Sequence, residues 1–129
     1  MVQSDDISIL RLRASEDLRV AKMIIDADDE LMAHIGFNLQ QFLEKSMKAC
    51  LMEHDVKYPK THDLAMLLKL FPQEMISKED KVFAYTLSQF AVESRYGNCP
   101  ASPWDGQQML EKVKEFADFI ETLWEKPQD

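Results

Sequence analysis

The chain has 129 residues, 46% hydrophobic and 29% charged, a single-domain length that buries roughly two-thirds of its unfolded surface around one core. Fifteen basic against 23 acidic residues give a net charge of −8, which argues against holding nucleic acid by a general electrostatic field but leaves room for a local phosphate pocket. Three glycines, five prolines and eight methionines favour helices over strands. Cys50 and Cys99 make neither a metal nor a disulfide framework, and the absence of a signal peptide or bilayer-length apolar run leads us to expect a cytoplasmic protein.

Residues 1–14 carry Ile7, Ile9, Leu10 and Leu12 in a weak alternation that fits a short strand, an extended arm or a helical lead-in. We expect one domain over residues 15–126. Ser15, followed by Glu16 and Asp17, predicts the start of a first helix: a capping hydroxyl, then acids at the positive end of the dipole. Leu18, Ala21, Met23, Ile24 and Ile25 supply its apolar side. The acidic run over residues 26–30 predicts a break and the start of a long second helix ending near His54.

Residues 37–51 of that second helix contain no glycine or proline. At about 100° per residue, Met32, Ile35, Leu39, Phe42, Leu43, Met47 and Cys50 share one face, with Ser46 among them. Gln41, Glu44, Lys45 and Lys48 form a polar stripe bordered by Phe37, Leu51 and Met52. Such a border predicts a helix covered on most sides, by its own core and by a second copy. The plainer reading is an intrahelical pair, Glu44 four residues before Lys48, worth about 0.2–0.5 kcal/mol.

Thr61 is the expected cap of a short third helix, with Asp63 in its first turn and Leu64, Leu67, Leu68 and Leu70 or Phe71 behind it; Pro72 stops it. Ser77 and Asp80 predict a capping box for a fourth helix carrying Val82, Phe83, Leu87, Phe90 and Ala91, closed by Arg95, Tyr96 and Gly97. Ser102 as cap and Pro103 in the first turn open a last helix. Met109, Val113, Phe116, Ala117, Ile120 and Leu123 or Trp124 recur along it at helical spacing. The expected fold is therefore all-α: an up-and-down bundle of four main helices plus a short one.

Known chemistries find little footing. His34, His54 and His62 lie in no hydrolase motif, and the scattered glycines form no phosphate loop. The Glu-x-x-His spacing of di-iron bundles is missing, and Glu30 with His34, four apart, does not replace it.

The block Gln40-Gln41-x-x-Glu44-Lys45-x-x-Lys48-Ala49-x-Leu51, followed by Pro59-x-Thr61-His62-Asp63-Leu64 and by Arg95-Tyr96, resembles the HEPN domain family (higher eukaryotes and prokaryotes nucleotide-binding). Asp17-Leu18-x-x-Ala21 is similar to that family's first helix, and the likeness spans residues 15–125. It implies that Thr61, His62 and Asp63 form a structural motif packing the third helix against the second. Ribonuclease members cleave RNA with an Arg followed a few residues later by a His, paired across a dimer. Here Arg95 is followed by Pro100, Ala101 and Ser102 at those positions, and no His lies further on. The toxin subgroup's later Tyr is missing too, since the nearby one is Tyr96.

The resemblance thus implies a non-catalytic member without cofactor or metal. It would be a toxin–antitoxin-like homodimer that binds a nucleotide or serves a small nucleotidyltransferase as accessory subunit. Gln41, Glu44, Lys45, Lys48, Arg95 and Tyr96 would form its ligand site, with Lys45, Lys48 and Arg95 on phosphate and Tyr96 stacked on a base. The alternatives are a degenerate ribonuclease that uses Arg95 with another base, and a purely structural adaptor for a protein partner.

Overall fold

The computed structural model describes residues 4–125, with backbone alone at residues 4, 5 and 95. The first three residues of the 1–14 segment, and residues 126–129, lie outside the described residues. Among the described residues five α-helices follow one another: α1 (Ser4–Ala27), α2 (Met32–Glu53), α3 (Leu64–Leu68), α4 (Lys78–Glu93) and α5 (Gly106–Glu121), with a 3-10 turn (Ser94–Tyr96) at the end of α4. No strand occurs among the described residues.

The first helix begins at Ser4, not at Ser15. Ser15 lies inside α1, and its hydroxyl donates back to the Leu12 carbonyl at 2.7 Å, the interior alternative to capping for this side chain. No glycine or proline breaks residues 4–14, so once nucleated the helix extends at one hydrogen bond per residue. Arg11 fixes this segment, reaching Glu53 at 2.8 Å and Glu121 at 2.7 Å. Burial works against the guanidinium's charge, but its hydrogen bonds to Glu53 and Glu121 outweigh that and raise its pKa. Toward the core α1 presents Ala14 and Ala21; Met23, expected on the apolar side, is exposed instead.

α2 is the axis of the bundle and touches α1, α3, α4 and α5. Ile35, Leu39, Leu43, Met47 and Leu51, one every four residues, are all fully buried, each worth about 1.5–3 kcal/mol over its exposed state. Leu51, expected at the border of the polar stripe, is thus core. Arg11 with Glu53 and Asp17 with Lys45 set α1 antiparallel to α2. The neighbours Gly36–Phe90 and His34–Gly97 set α4 antiparallel. Ile35 against Gly106, and His54 stacked on Trp124 at 3.9 Å, set α5 parallel to α2. The order is up, down, up, down.

Two glycines have positional reasons. A Cβ on Gly36 would overlap the ring of Phe90, so only glycine lets α4 approach α2 this closely. Gly97, at φ 73°, closes the 3-10 turn in the left-handed region.

Of the expected caps, the Ser77–Asp80 box is present in both directions, at 3.1 and 2.9 Å. Thr61 does not cap α3. Its hydroxyl accepts from Asp63 N at 3.0 Å, and the Asp63 carboxylate caps by accepting from Ala65 N and Met66 N. Ser102 likewise folds a local turn, accepting from Trp104 N at 3.1 Å, while Asp105 and Gln108 form the reciprocal box that opens α5. In both cases a carboxylate nearer the helix outcompetes the hydroxyl upstream.

Cys50 lies in the core beside Glu121. Burial, then the charge of Glu121, pushes its thiol up to about 12. Native protein at pH 8 should therefore titrate as one reactive thiol, the exposed Cys99, and as two after denaturation. The raised value also makes Cys50 stabilising below the thiol's ordinary value of 9.0, with that contribution lost as pH rises from there toward about 12. Cys50→Ala should flatten this part of the alkaline stability profile.

Candidate functional site

The polar stripe of α2 is roofed by its own chain. α1 brings Asp17, and the segment between α2 and α3 brings Tyr58 and His62. At the centre is the Glu44 side chain, only 5% exposed. Its Oε2 accepts from Lys48 Nζ at 3.0 Å; its Oε1 meets His62 Nδ1 at 3.0 Å and accepts from Gln40 Nε2 at 3.2 Å. Gln40 Nε2 also donates to the His62 carbonyl at 2.9 Å, and Gln41 Nε2 donates to Gln40 Oε1 at 2.7 Å. One carboxylate thus satisfies a cation, an amide and an imidazole, as a charge in a low-dielectric setting requires.

The expected ligand residues do not form one cluster. Lys48, 14% exposed, spends its charge on Glu44 and lies 5.6 Å from the centre of the Tyr58 ring. Burial, then Asp6 and Glu44, raises the pKa of Tyr58, so this phenol stays neutral against the ammonium. Lys45 turns to α1 and pairs with Asp17 at 2.6 Å. Tyr96 stands on the 3-10 turn, 76% exposed. Of Arg95 the backbone lies on that same turn, and its side chain is outside the described residues.

The Thr-His-Asp-Leu segment was expected to pack α3 against α2. In the structure the segment bonds to both neighbours: the His62 carbonyl accepts from Gln40 of α2, and Leu64 N donates to Ser88 Oγ of α4 at 2.8 Å. Ser88 passes the bond on to the Ala84 carbonyl at 2.9 Å. Leu64 N is an amide that opens α3, so the motif anchors that helix at its first turn.

Beside this network lies a cleft that sequence reasoning did not anticipate. Phe37, Gln41 and His62 face Ala91 and Ser94 across about 340 Å³. A second hollow of about 290 Å³, lined by His34, Phe37, Ser94, Gly97 and Asn98, adjoins it through Phe37 and Ser94. His34, Phe37 and Gln41 recur at helical spacing on one side of α2, which is the signal that could have marked its floor. Together the hollows run along the junction of α2 with the end of α4, next to the turn that carries Arg95. His62, with Nδ1 bound to Glu44, is half exposed at one end.

The molecule is thus an all-α bundle with a cleft between its second and fourth helices, in which a few polar side chains stand among apolar ones. The HEPN domain matches residues 7–123, and the chain belongs to the HEPN family. Comparison with curated proteins and with solved structures finds no match. Among the described residues, no helix is long and apolar enough to cross a membrane, and no group of three or more His, Cys, Asp or Glu side chains is placed to hold a metal ion.

Proposed function

We propose that this HEPN protein is a non-catalytic, dimeric subunit that binds a nucleotide in the cleft between α2 and α4 and works beside a small nucleotidyltransferase. The observation that carries this reading is the meeting of Gln41 and His62 with Ser94, beside the turn of Arg95. Lys45 and Lys48 already hold carboxylates, so in this reading they support the site while the cleft receives the ligand. Phe37, 37% exposed and lining both hollows, is the apolar point at which a second copy would close it.

A panel of nucleotides at millimolar concentration tests this directly. A ligand at about 100 times its Kd stabilises the folded state by about 2.7 kcal/mol. We expect one nucleotide to raise the melting temperature by several degrees, and Gln41→Ala to abolish the rise. The same samples should sediment as dimers at micromolar concentration, less so for Phe37→Asp. No thermal shift with any nucleotide would leave the adaptor reading in front, and a monomer throughout would remove the dimer.

One feature favours a second reading, RNA cleavage. Glu44 holds His62 by Nδ1, the way a carboxylate orients a general base. The proposal expects single-stranded and transfer RNA to survive incubation with the purified protein. Cleavage that disappears in His62→Ala would put the degenerate ribonuclease in its place.

A further inference from the structure

Toward the start of α4, away from the cleft at its end, a groove of about 810 Å³ runs between α4 and α5. Its floor is a chain of aromatic rings: Trp104 meets Phe83 at 5.4 Å, Phe83 meets Phe116 at 5.2 Å, and Phe116 meets Phe119 edge-on at 6.1 Å. Only Phe116 is buried; the other three remain part-open to solvent. A volume of this size with an aromatic floor and a few charged groups has the make-up of a small-molecule site.

The rim carries both signs. On α5, Lys112 and Glu115 lie three residues apart and both line the groove, yet among the described residues they form no ion pair with each other. Lys112 Nζ instead stands 5.6 Å from the centre of the Trp104 ring. The Trp104 indole N–H donates to no described group. On α4, Asp80 is committed to its capping box, leaving Lys78 and Glu79 as a second mixed pair. Three acids, Glu79, Asp80 and Glu115, stand against two lysines, so a multiply charged anion such as a phosphate ester would be repelled. An occupant bearing one charge of each sign is matched.

We propose that this groove binds a small aromatic zwitterion of the free α-amino acid type. Its ring lies on the Trp104–Phe83–Phe116 floor, its carboxylate meets Lys112 and its ammonium meets Glu115. The site is separate from the cleft between α2 and α4, and it stands whether or not that cleft binds a nucleotide.

The probes are unlabelled L-tryptophan, indole-3-propionate, which lacks the ammonium, and tryptamine, which lacks the carboxylate. Each is titrated into nitrogen-15-labelled protein while the two indole N–H resonances are followed; Trp124→Phe assigns the one from Trp104. L-tryptophan should move the Trp104 resonance saturably. Each singly charged analogue should bind about fivefold more weakly, the increment of one partly exposed ion pair. Lys112→Met should weaken L-tryptophan and indole-3-propionate but not tryptamine, and Glu115→Gln should weaken L-tryptophan and tryptamine but not indole-3-propionate. Both side chains are exposed, so the variants keep the fold, which an unchanged melting temperature verifies. No movement at about 10 mM of all three probes, a concentration that detects even millimolar affinity, overturns the proposal and leaves the groove to a protein partner. Equal affinity for the three probes, or variants that weaken all of them alike, overturns it as well.

Discussion

Replacing Glu44 with alanine is expected to destabilise the protein by about 3–5 kcal/mol, the scale of breaking a buried ion pair from one side. The Glu44 carboxylate is 5% exposed and its cation Lys48 is 14% exposed. The variant strands that ammonium beside the Tyr58 ring, and it removes an acceptor from Gln40 Nε2. Glu44→Gln should cost less, because an amide oxygen still accepts from Gln40. The double variant Glu44→Ala with Lys48→Met should be more stable than Glu44→Ala alone, since no unpaired charge is left behind. Urea unfolding with an unchanged slope measures each step. A loss below about 1 kcal/mol for Glu44→Ala would return the stripe to an ordinary surface pair.

The second large effect has an unexpected sign. Gly36 sits inside α2, where alanine normally stabilises a helix by about 1 kcal/mol over glycine. Gly36→Ala should instead destabilise by at least about 2 kcal/mol, because overpacking in a rigid core outweighs propensity. The added methyl would occupy space held by the ring of Phe90, itself 1% exposed. Phe90→Leu in the Gly36→Ala background should recover part of the loss, so that the two changes are less than additive. A raised melting temperature for Gly36→Ala would show that α4 shifts freely and that close approach does not require the glycine.

The main helices were legible because their signals are local. The apolar row on α2, the Ser77–Asp80 box and Gly97 after Tyr96 each depend on residues within a turn of one another. Ser15, Thr61 and Ser102 misled for the same local reason: a hydroxyl near a helix can cap it, bond back inside it or shape the turn before it. Which of these happens depends on what lies near in space. The site was less legible still. Lys45 was readable as a phosphate ligand until Asp17, 28 residues away, was found beside it. Glu44 and His62 are 18 residues apart, and the cleft needs the end of α4 laid against the start of α2. Periodicity placed Gln41, Glu44 and Lys48 on one side of a helix, but only tertiary structure decides which of them is already spoken for.

The central position of α2 also bears on how the protein comes apart. Every other helix rests on it, and its row from Ile35 to Leu51 is shared by all of them. No group of helices can leave as an independent subdomain without uncovering that row. The bundle should therefore lose its structure in one cooperative step, and the backbone amides along the middle of α2 should exchange with solvent only when the whole molecule opens.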